Sequence, residues 1–393
     1  MPGVPATSEG AHVLVAGGGF AGVEAMLALR ALAGERVSVT LVSPSTSLAY
    51  KPAATTESFY ETPPLAYDLQ SIAVDVGASF RLDRVEAVAA DAHRARLASF
   101  AYLDYDALVL AAGARATKAV PGALTFSSQQ EVRHVRRLMS ELRSGTLSRI
   151  IFAVPSGCSW PLPLYELALL TATRLRALDV SGEVTLVTPE VAPLDVFGAQ
   201  ASSLVADLLA ERGVRFIGES DPKRVDRSGA LELVSGATLD ADRVVAAPRL
   251  RGPRITGLPT DHQGFITTDA LGGVLGLPHV YAAGDMTSFP IKQGGLAAQQ
   301  ADVIAQRLAI DQGVTVMQPR ADRVLRARLV GGESPVYLRT ELDELGRVIT
   351  ASTVHGHFNE AESDAPVEKV FGRYLSPYLR TRPPIHSQNA AVG

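Results

Sequence analysis

The sequence predicts an α/β fold, with two three-layer (ββα) nucleotide-binding domains in tandem and a small α+β C-terminal domain. Three observations predict it. Val13-Leu-Val-Ala-Gly-Gly-Gly-Phe-Ala-Gly22 is an apolar strand that passes through glycines into the helical pattern Val23-Glu-Ala-Met-Leu-Ala-Leu-Arg30. A second strand–helix–strand alternation starts at Arg149-Ile-Ile-Phe-Ala-Val154. A distant apolar strand, Val280-Tyr-Ala-Ala-Gly-Asp285, ends in the pair Gly284-Asp285. Apolar strands alternating with helices at this spacing build parallel, Rossmann-like sheets.

Gly17, Gly19 and Gly22 match G-x-G-x-x-G between a buried strand and a helix. The first glycine allows the tight turn, and the second lets the backbone approach a pyrophosphate. The third lets helix and strand pack closely, with the helix N-terminus facing the anion. Phe20 and Ala21 open that helix and join the candidate site. A strand that ends in Gly-Asp places a carboxylate beside a polyol and a glycine beside its phosphate. FAD has both groups, whereas NAD has no ribityl chain. FAD is therefore the expected cofactor.

The elements follow in order. Val13–Ala16 is the first strand, the helix runs to about Leu32, and Val37–Val42 is the second parallel strand. Ser43 to Pro64 reads as irregular. Phe80–Leu82, Val85–Ala89 and Ala95–Ala98 read as strands of a meander. Asp106 to Ala114 is a buried strand that ends in Ala112-Gly113. In the second unit the helix spans about Leu162 to Leu178, followed by the strand Glu183–Thr188. The helix Ala199–Arg212, the strand Val214–Ile217 and strands near Leu231 and Val244 complete it. A helix from Gly294 to about Ala309 returns to the first unit. Strands at Val324–Val330 and Val336–Arg339 follow, then a polar loop Asn359–Asp364, an amphipathic segment Val367–Leu379 and a flexible tail. The predicted domains are 1–118 with 270–312 for FAD, 119–269 for the second unit, and 313–393 as a dimer contact or a lid over the flavin.

These motifs resemble the two-dinucleotide-binding-domain flavoproteins, and among them the sulfide:quinone oxidoreductase and type II NADH dehydrogenase branch. The resemblance covers about residues 11–312. It implies an FAD-dependent oxidoreductase that passes electrons from a small donor to a quinone or another acceptor. In this family the second strand usually ends in an acidic residue that holds the adenosine ribose; here Ser43 stands there. Tyr50-Lys51-Pro52 resembles the aromatic-x-Pro stretch laid along the isoalloxazine. Gly294, Gly295 and Leu296 start a helix whose first N–H groups would face the flavin pyrimidine. Negative charge accumulates there on reduction, and a helix N-terminus stabilises it. Lys292 resembles the lysine of the sulfide:quinone branch near the ring. Gln299 and Gln300 resemble a quinone-site helix, or form a polar helix face.

The second unit departs from the nucleotide pattern. Another glycine fingerprint belongs after Val154, but the chain has Pro155-Ser-Gly-Cys-Ser-Trp-Pro-Leu-Pro163. The prolines remove N–H donors and Trp160 adds bulk, which argues against a normal NAD(P)H site. The opposing reading lets a longer loop admit the nucleotide, with Glu190 meeting a ribose. Cys158 falls where the sulfide:quinone branch carries a redox cysteine. A thiolate at a helix start is stabilised by the dipole and becomes nucleophilic. The chain has a single cysteine, so the two-cysteine polysulfide relay lacks its partner. A packed, inert thiol is the alternative. An NAD(P)H dehydrogenase and a non-enzymatic flavin-binding redox sensor remain as other readings of the whole.

Composition bounds the rest. The chain has 393 residues, 47% hydrophobic and 20% charged, with a net charge of −4. That fits a globular protein with a large core and implies no nucleic-acid partner. Met1–His12 lacks a basic and apolar leader pattern, and no apolar run is long enough to span a bilayer. A cytoplasmic protein is expected. The basic run Arg320–Arg328 most simply solvates a strand face, and lipid contact there is the weaker reading. The Tyr374–Arg380 segment offers a lid, a homodimer contact or a peripheral membrane foot. His355-Gly-His357 lacks acidic or cysteine neighbours at ligand spacing, so no metal is expected.

Overall fold

The computed structural model describes residues 10–60, 63–127, 131–331, 334–350, 353–355 and 369–386. Its first sheet is wholly parallel. Strands β1 (Ala11–Ala16), β2 (Val37–Ser43), β3 (Ser79–Leu82) and β4 (Ala107–Leu110) lie in the order β4-β1-β2-β3. The strand Val280–Ala282 returns from late in the chain and pairs with β4. Both faces are covered, so the strands read as continuous apolar runs: Leu14, Val15, Leu108, Val109 and Leu110 have no exposure. Helix α1 (Phe20–Ala33) joins β1 to β2.

Phe80-Arg-Leu, expected in the meander, belongs to this parallel sheet instead. Ser79 pairs with Thr40 and Leu82 with Ser43. The reason is a short crossover helix, Leu69–Asp75, which brings the chain back parallel to β2. It is capped by Asp68, which accepts the Ser71 N–H at 2.7 Å. The meander comprises only Val85–Ala89, Arg94–Leu97 and Tyr102–Asp104.

The second sheet is also parallel. It contains β5 (Leu124–Thr125), β6 (Arg149–Ala153), β7 (Glu183–Val187), β8 (Val214–Ile217) and β9 (Arg243–Ala246), in the order β5-β9-β6-β7-β8. It therefore starts before Arg149. Helix α2 (Val132–Arg143) connects β5 to β6 and buries Val132, Val135, Leu138 and Leu142. Helices α3 (Leu162–Ala177) and α4 (Ala199–Glu211) follow β6 and β7. The Leu231 strand lies outside this sheet, in an antiparallel ribbon of Pro222–Val225, Leu231–Leu233 and Thr238–Leu239. Arg115–Thr117 and Arg249–Arg251 pair antiparallel where the chain passes between the two sheets.

Helix α5 (Gly294–Asp311) packs beside α1 in the first core. Strands β10 (Arg323–Leu329), β11 (Val336–Leu342) and β12 (Thr353–His355) form an antiparallel sheet. The basic run contributes to it by alternation: Leu325, Ala327 and Leu329 turn into the second core, while Arg326 and Arg328 lie between them. The last described segment, residues 369–386, carries the short helix α6 (Leu375–Arg380). Beyond Leu379, where the sequence suggests a flexible tail, Ile385 pairs with Ala66 as part of a strand. The Asn359–Asp364 loop and His357 lie outside the described residues, and so does the side chain of His355. Among the described residues no helix is long and apolar enough to cross a membrane, and no cluster of metal-ligating side chains occurs.

Candidate flavin site and the closed turn of the second domain

The glycines of the first turn do different jobs. Gly17 takes φ +130°, and a Cβ there would meet the Ala111 carbonyl oxygen at 2.1 Å. A Cβ on Gly22 would meet the Gly17 carbonyl oxygen at 1.7 Å. Both positions therefore exclude a side chain because backbone packs against backbone. Around Gly19 the surroundings are open: a Cβ would touch nothing within 4 Å. That open space adjoins the N-terminus of α1, where no side chain caps the helix. Uncapped N–H groups beside empty space are a ready anion site.

The space continues as a cleft of about 1220 Å³. Gly17, Gly19, Phe20, Ala21, Ser43, Lys51, Pro52, Ala112, Gly113, Gly284, Asp285, Cys158 and Lys292 all line it. Gly22, Gly295 and Leu296 do not. Gly22 is sealed under Gly17, and Gly295 lies beneath the Val370 carbonyl. Leu296 is buried in the second core, and its N–H goes to the Gln293 side chain at 3.0 Å. Gln293 thus caps α5 from within, so that particular N–H does not face the cleft. Ser43 is buried and accepts the Ser45 N–H at 3.1 Å. Arg84, Glu86 and Arg96 line the cleft near it, with Glu86 held between the two arginines at 2.9 and 3.5 Å.

At the other end, Asp285 and Lys292 face one another electrostatically. Burial raises the Asp285 carboxyl above its usual range, and Lys51 and Lys292 pull it back. Burial lowers Lys292 to about 8, against the opposing charges of Asp285 and Asp261. The Lys292 ammonium donates to the Thr287 carbonyl and sits 4.1 Å from the Phe265 ring centroid. Gln299 and Gln300 are both engaged. Gln299 exchanges hydrogen bonds with the Val324 backbone at 2.8 and 3.0 Å, and Gln300 accepts the Gly284 N–H at 2.7 Å. They tie α5 to β10 and to the Gly-Asp turn.

Sequence reading missed a buried cluster on the same cleft. Glu166 of α3 accepts from the Lys369 ammonium at 2.7 and 2.8 Å, the Thr55 hydroxyl at 2.6 Å and the Val330 N–H at 3.0 Å. Four separate parts of the chain meet at one carboxylate. The available signal was Glu166 itself, an acid at an otherwise apolar helix position.

The turn after β6 is closed in three ways. Ser156 donates its N–H to the Asp221 carboxylate at 2.9 Å. Trp160 packs edge-on against Phe197, with ring centroids 6.1 Å apart. Glu190 points inward rather than toward a ribose: it accepts from Tyr165 Oη at 2.6 Å and from Thr188 Oγ1 at 2.8 Å. Burial raises Glu190 to about 7 despite those two donors. Cys158 lies four residues before the start of α3, in a turn in which its N–H donates to the Pro155 carbonyl at 3.1 Å. The expected dipole-stabilised thiolate is not what this position provides. Burial pushes the thiol up to about 11, and the negative charge of Glu190 adds to that. The neutral thiol is the resident form.

FAD fits the cleft, which residues of both units and Lys369 line. The open space at Gly19, the uncapped α1, the carboxylate of Asp285 and the volume of the cleft could serve its pyrophosphate, polyol and rings. Comparison with known proteins agrees. Residues 11–303 match the family model of the pyridine nucleotide-disulphide oxidoreductases. No curated protein matches the sequence. Among solved structures, the sulfide:quinone oxidoreductase of the hyperthermophilic bacterium Aquifex aeolicus superposes with a TM-score of 0.75 at 19% identity, covering 94% of this chain and 89% of that one. A ferredoxin reductase from Rhodopseudomonas palustris gives 0.67 at 21%, covering 84% and 82%. A NAD-dependent persulfide reductase from A. fulgidus gives 0.62 at 18%, covering 84% and 64%. The chain belongs to the pyridine nucleotide-disulphide oxidoreductase family and is an FAD-dependent oxidoreductase.

Proposed function

We propose that this flavoprotein takes electrons from a small donor other than NAD(P)H and passes them to a quinone or another acceptor. The observation that carries the reading is the Ser156–Asp221 bond. A nucleotide pyrophosphate needs free backbone N–H groups and no competing anion at that turn. Here a carboxylate already holds an N–H, and bulky Trp160 of the same loop packs against Phe197. The resemblance to sulfide:quinone oxidoreductases supports the acceptor class. The single cysteine argues for a donor reaction without a polysulfide relay.

Bound FAD would supply the two-electron chemistry. Gly17, Gly19, Phe20, Ala21 and Gly22 form the pyrophosphate turn of this reading, with Ser43 toward the ribose and Gly113, Gly284 and Asp285 toward the polyol and phosphate. Lys51, Pro52 and Lys292 belong at the ring end. Lys292 can hold or release a proton near neutrality, because burial has brought its ammonium down to about 8. Cys158 is assigned a packing role. The 119–269 unit acts as a scaffold that shapes the far wall of the cleft. The test is anaerobic reduction of the bound flavin by NADH, NADPH, sulfide and small thiols in turn. Reduction by sulfide or thiols but not by nicotinamides supports the reading.

A further inference from the structure

Two acidic side chains lie buried together beneath the C-terminal segment. Glu24 on α1 has no exposure, and Asp302 on α5 is 8% exposed. Glu24 spends both oxygens on α6: Oε1 accepts the Tyr374 N–H at 2.8 Å and Oε2 the Leu375 N–H at 2.7 Å. Those N–H groups open the helix, so Glu24 acts as its cap from another element. Burial raises the Glu24 carboxyl above its usual range, and the Tyr374 and Leu375 N–H donors pull it part of the way back. Asp302 faces it, and its Oδ1 has no hydrogen-bond partner among the described residues. Two carboxylates cannot both be charged at this depth, so the proton resides on Asp302 and is shared toward Glu24. Arg373 and the Tyr374 phenol are the other charged or titratable groups facing the pair, and Arg373 is exposed.

The capped segment continues directly into the cleft. Val370 covers Gly294 and Gly295 at the start of α5, and the Lys369 carbonyl accepts from Gln293 Nε2 at 3.4 Å. Lys369 then completes the Glu166 cluster on the cleft wall. Farther along, Tyr378 and Arg382 both reach Asp75, with Arg382 at 2.6 Å.

We propose that the Glu24–Asp302 pair is a proton-operated latch: with one proton shared between the carboxyls, residues 369–386 stay docked against α1 and the start of α5, with Lys369 at the cleft wall, and loss of that proton loosens them. The sign follows from linkage. The folded pair binds a proton that the same groups in an opened segment give up, so docking weakens as pH rises from the usual carboxylate range toward the raised value of Asp302. The inference stands independently of which donor reduces the flavin.

Hydrogen–deuterium exchange of the intact FAD-loaded protein tests it, with rates corrected for the intrinsic effect of pH. Between about pH 6 and pH 9, protection of peptides covering 369–386 should fall roughly tenfold or more, because one proton is worth up to a factor of ten per pH unit. Asp302→Asn keeps a hydrogen-bond donor to Glu24 and removes the titration, so its protection should stay high and flat. Peptides from Val132–Arg143 serve as the internal control and should not change. Flat protection in the wild type overturns the proposal. So does the same fall in Asp302→Asn, or a fall of equal size in the control helix.

Discussion

Ser156 donates its backbone N–H to the carboxylate of Asp221 at 2.9 Å, in the turn that follows β6. The sheet around that turn is intact: β6 pairs parallel with β7 and β9 in full register. The second unit thus has the architecture of a nucleotide domain, and in the proposed reading its turn is closed to a nucleotide. Architecture and ligand are separable here because the sheet depends on buried apolar strands, whereas the ligand depends on a few free N–H groups.

The first-domain turn gives a paired prediction. Gly19→Val places its side chain in open space, so the protein should fold, yet it should purify colourless and fail to take up FAD. Gly22→Val drives a side chain into the Gly17 carbonyl and should not accumulate as folded protein. Absorbance near 450 nm (approximately, as for oxidised flavins) and circular dichroism distinguish the two. Flavin retained at wild-type occupancy in Gly19→Val would contradict the placement of the pyrophosphate.

Much of this turn was legible in the sequence, because a glycine pattern between an apolar strand and a helix has a local cause. In the sequence, the Phe80 strand reads as part of the meander because β3 and the strand after it are alike, both short apolar alternations. Only the intervening Leu69–Asp75 helix shows which one continues the parallel sheet. Helix α2 carries helical spacing at Val132, Val135, Leu138 and Leu142, but many charged residues stand between them. The Glu166–Lys369 contact was out of reach, because its partners are 203 residues apart. The inward turn of Glu190 was hidden for a similar reason: its partner Tyr165 lies on the preceding helix.

Glu190 sets a pH-dependent test of stability. Its folded value of about 7 lies above the ordinary carboxylate value of 4.5, so the folded state binds the extra proton between those limits. Stability should therefore fall as pH rises through that window and level off above it. Glu190→Gln can still accept from Tyr165 and Thr188 and carries no buried charge. It should be more stable than wild type by about 1–3 kcal/mol at pH 8, a range set by the partial exposure of the group. Near pH 4 the two should converge. Urea denaturation at both pH values measures it.

Cys158 should react slowly. A thiol pushed up to about 11 is almost wholly protonated near pH 8. Alkylation by iodoacetamide should run at least roughly a hundredfold more slowly than that of free cysteine, whose pKa is ~8.5. Cys158→Ser should leave the flavin spectrum unchanged. Fast alkylation, or loss of a long-wavelength charge-transfer band on substitution, would place the thiolate at the ring and return the cysteine to the chemistry.

The Glu166–Lys369 pair predicts a non-additive cycle. Lys369→Met leaves a buried carboxylate without its counter-charge and should cost about 3–5 kcal/mol. Adding Glu166→Gln removes that charge and still lets the side chain accept from Val330 and meet Thr55, so the double variant should recover a large part of the loss. Thermal or denaturant unfolding of the four proteins checks it. Simple additivity would mean the two groups do not depend on one another.

In the proposed reading the second domain delivers no nicotinamide to the flavin. Anaerobic stopped-flow mixing of the FAD-loaded protein with NADH or NADPH tests it most directly, with dithionite reduction as the measure of full bleaching. The oxidised spectrum should persist under excess nicotinamide for far longer than a turnover, at about 1 s⁻¹ or faster, would take. Rapid, stoichiometric bleaching by micromolar NADH or NADPH would contradict it.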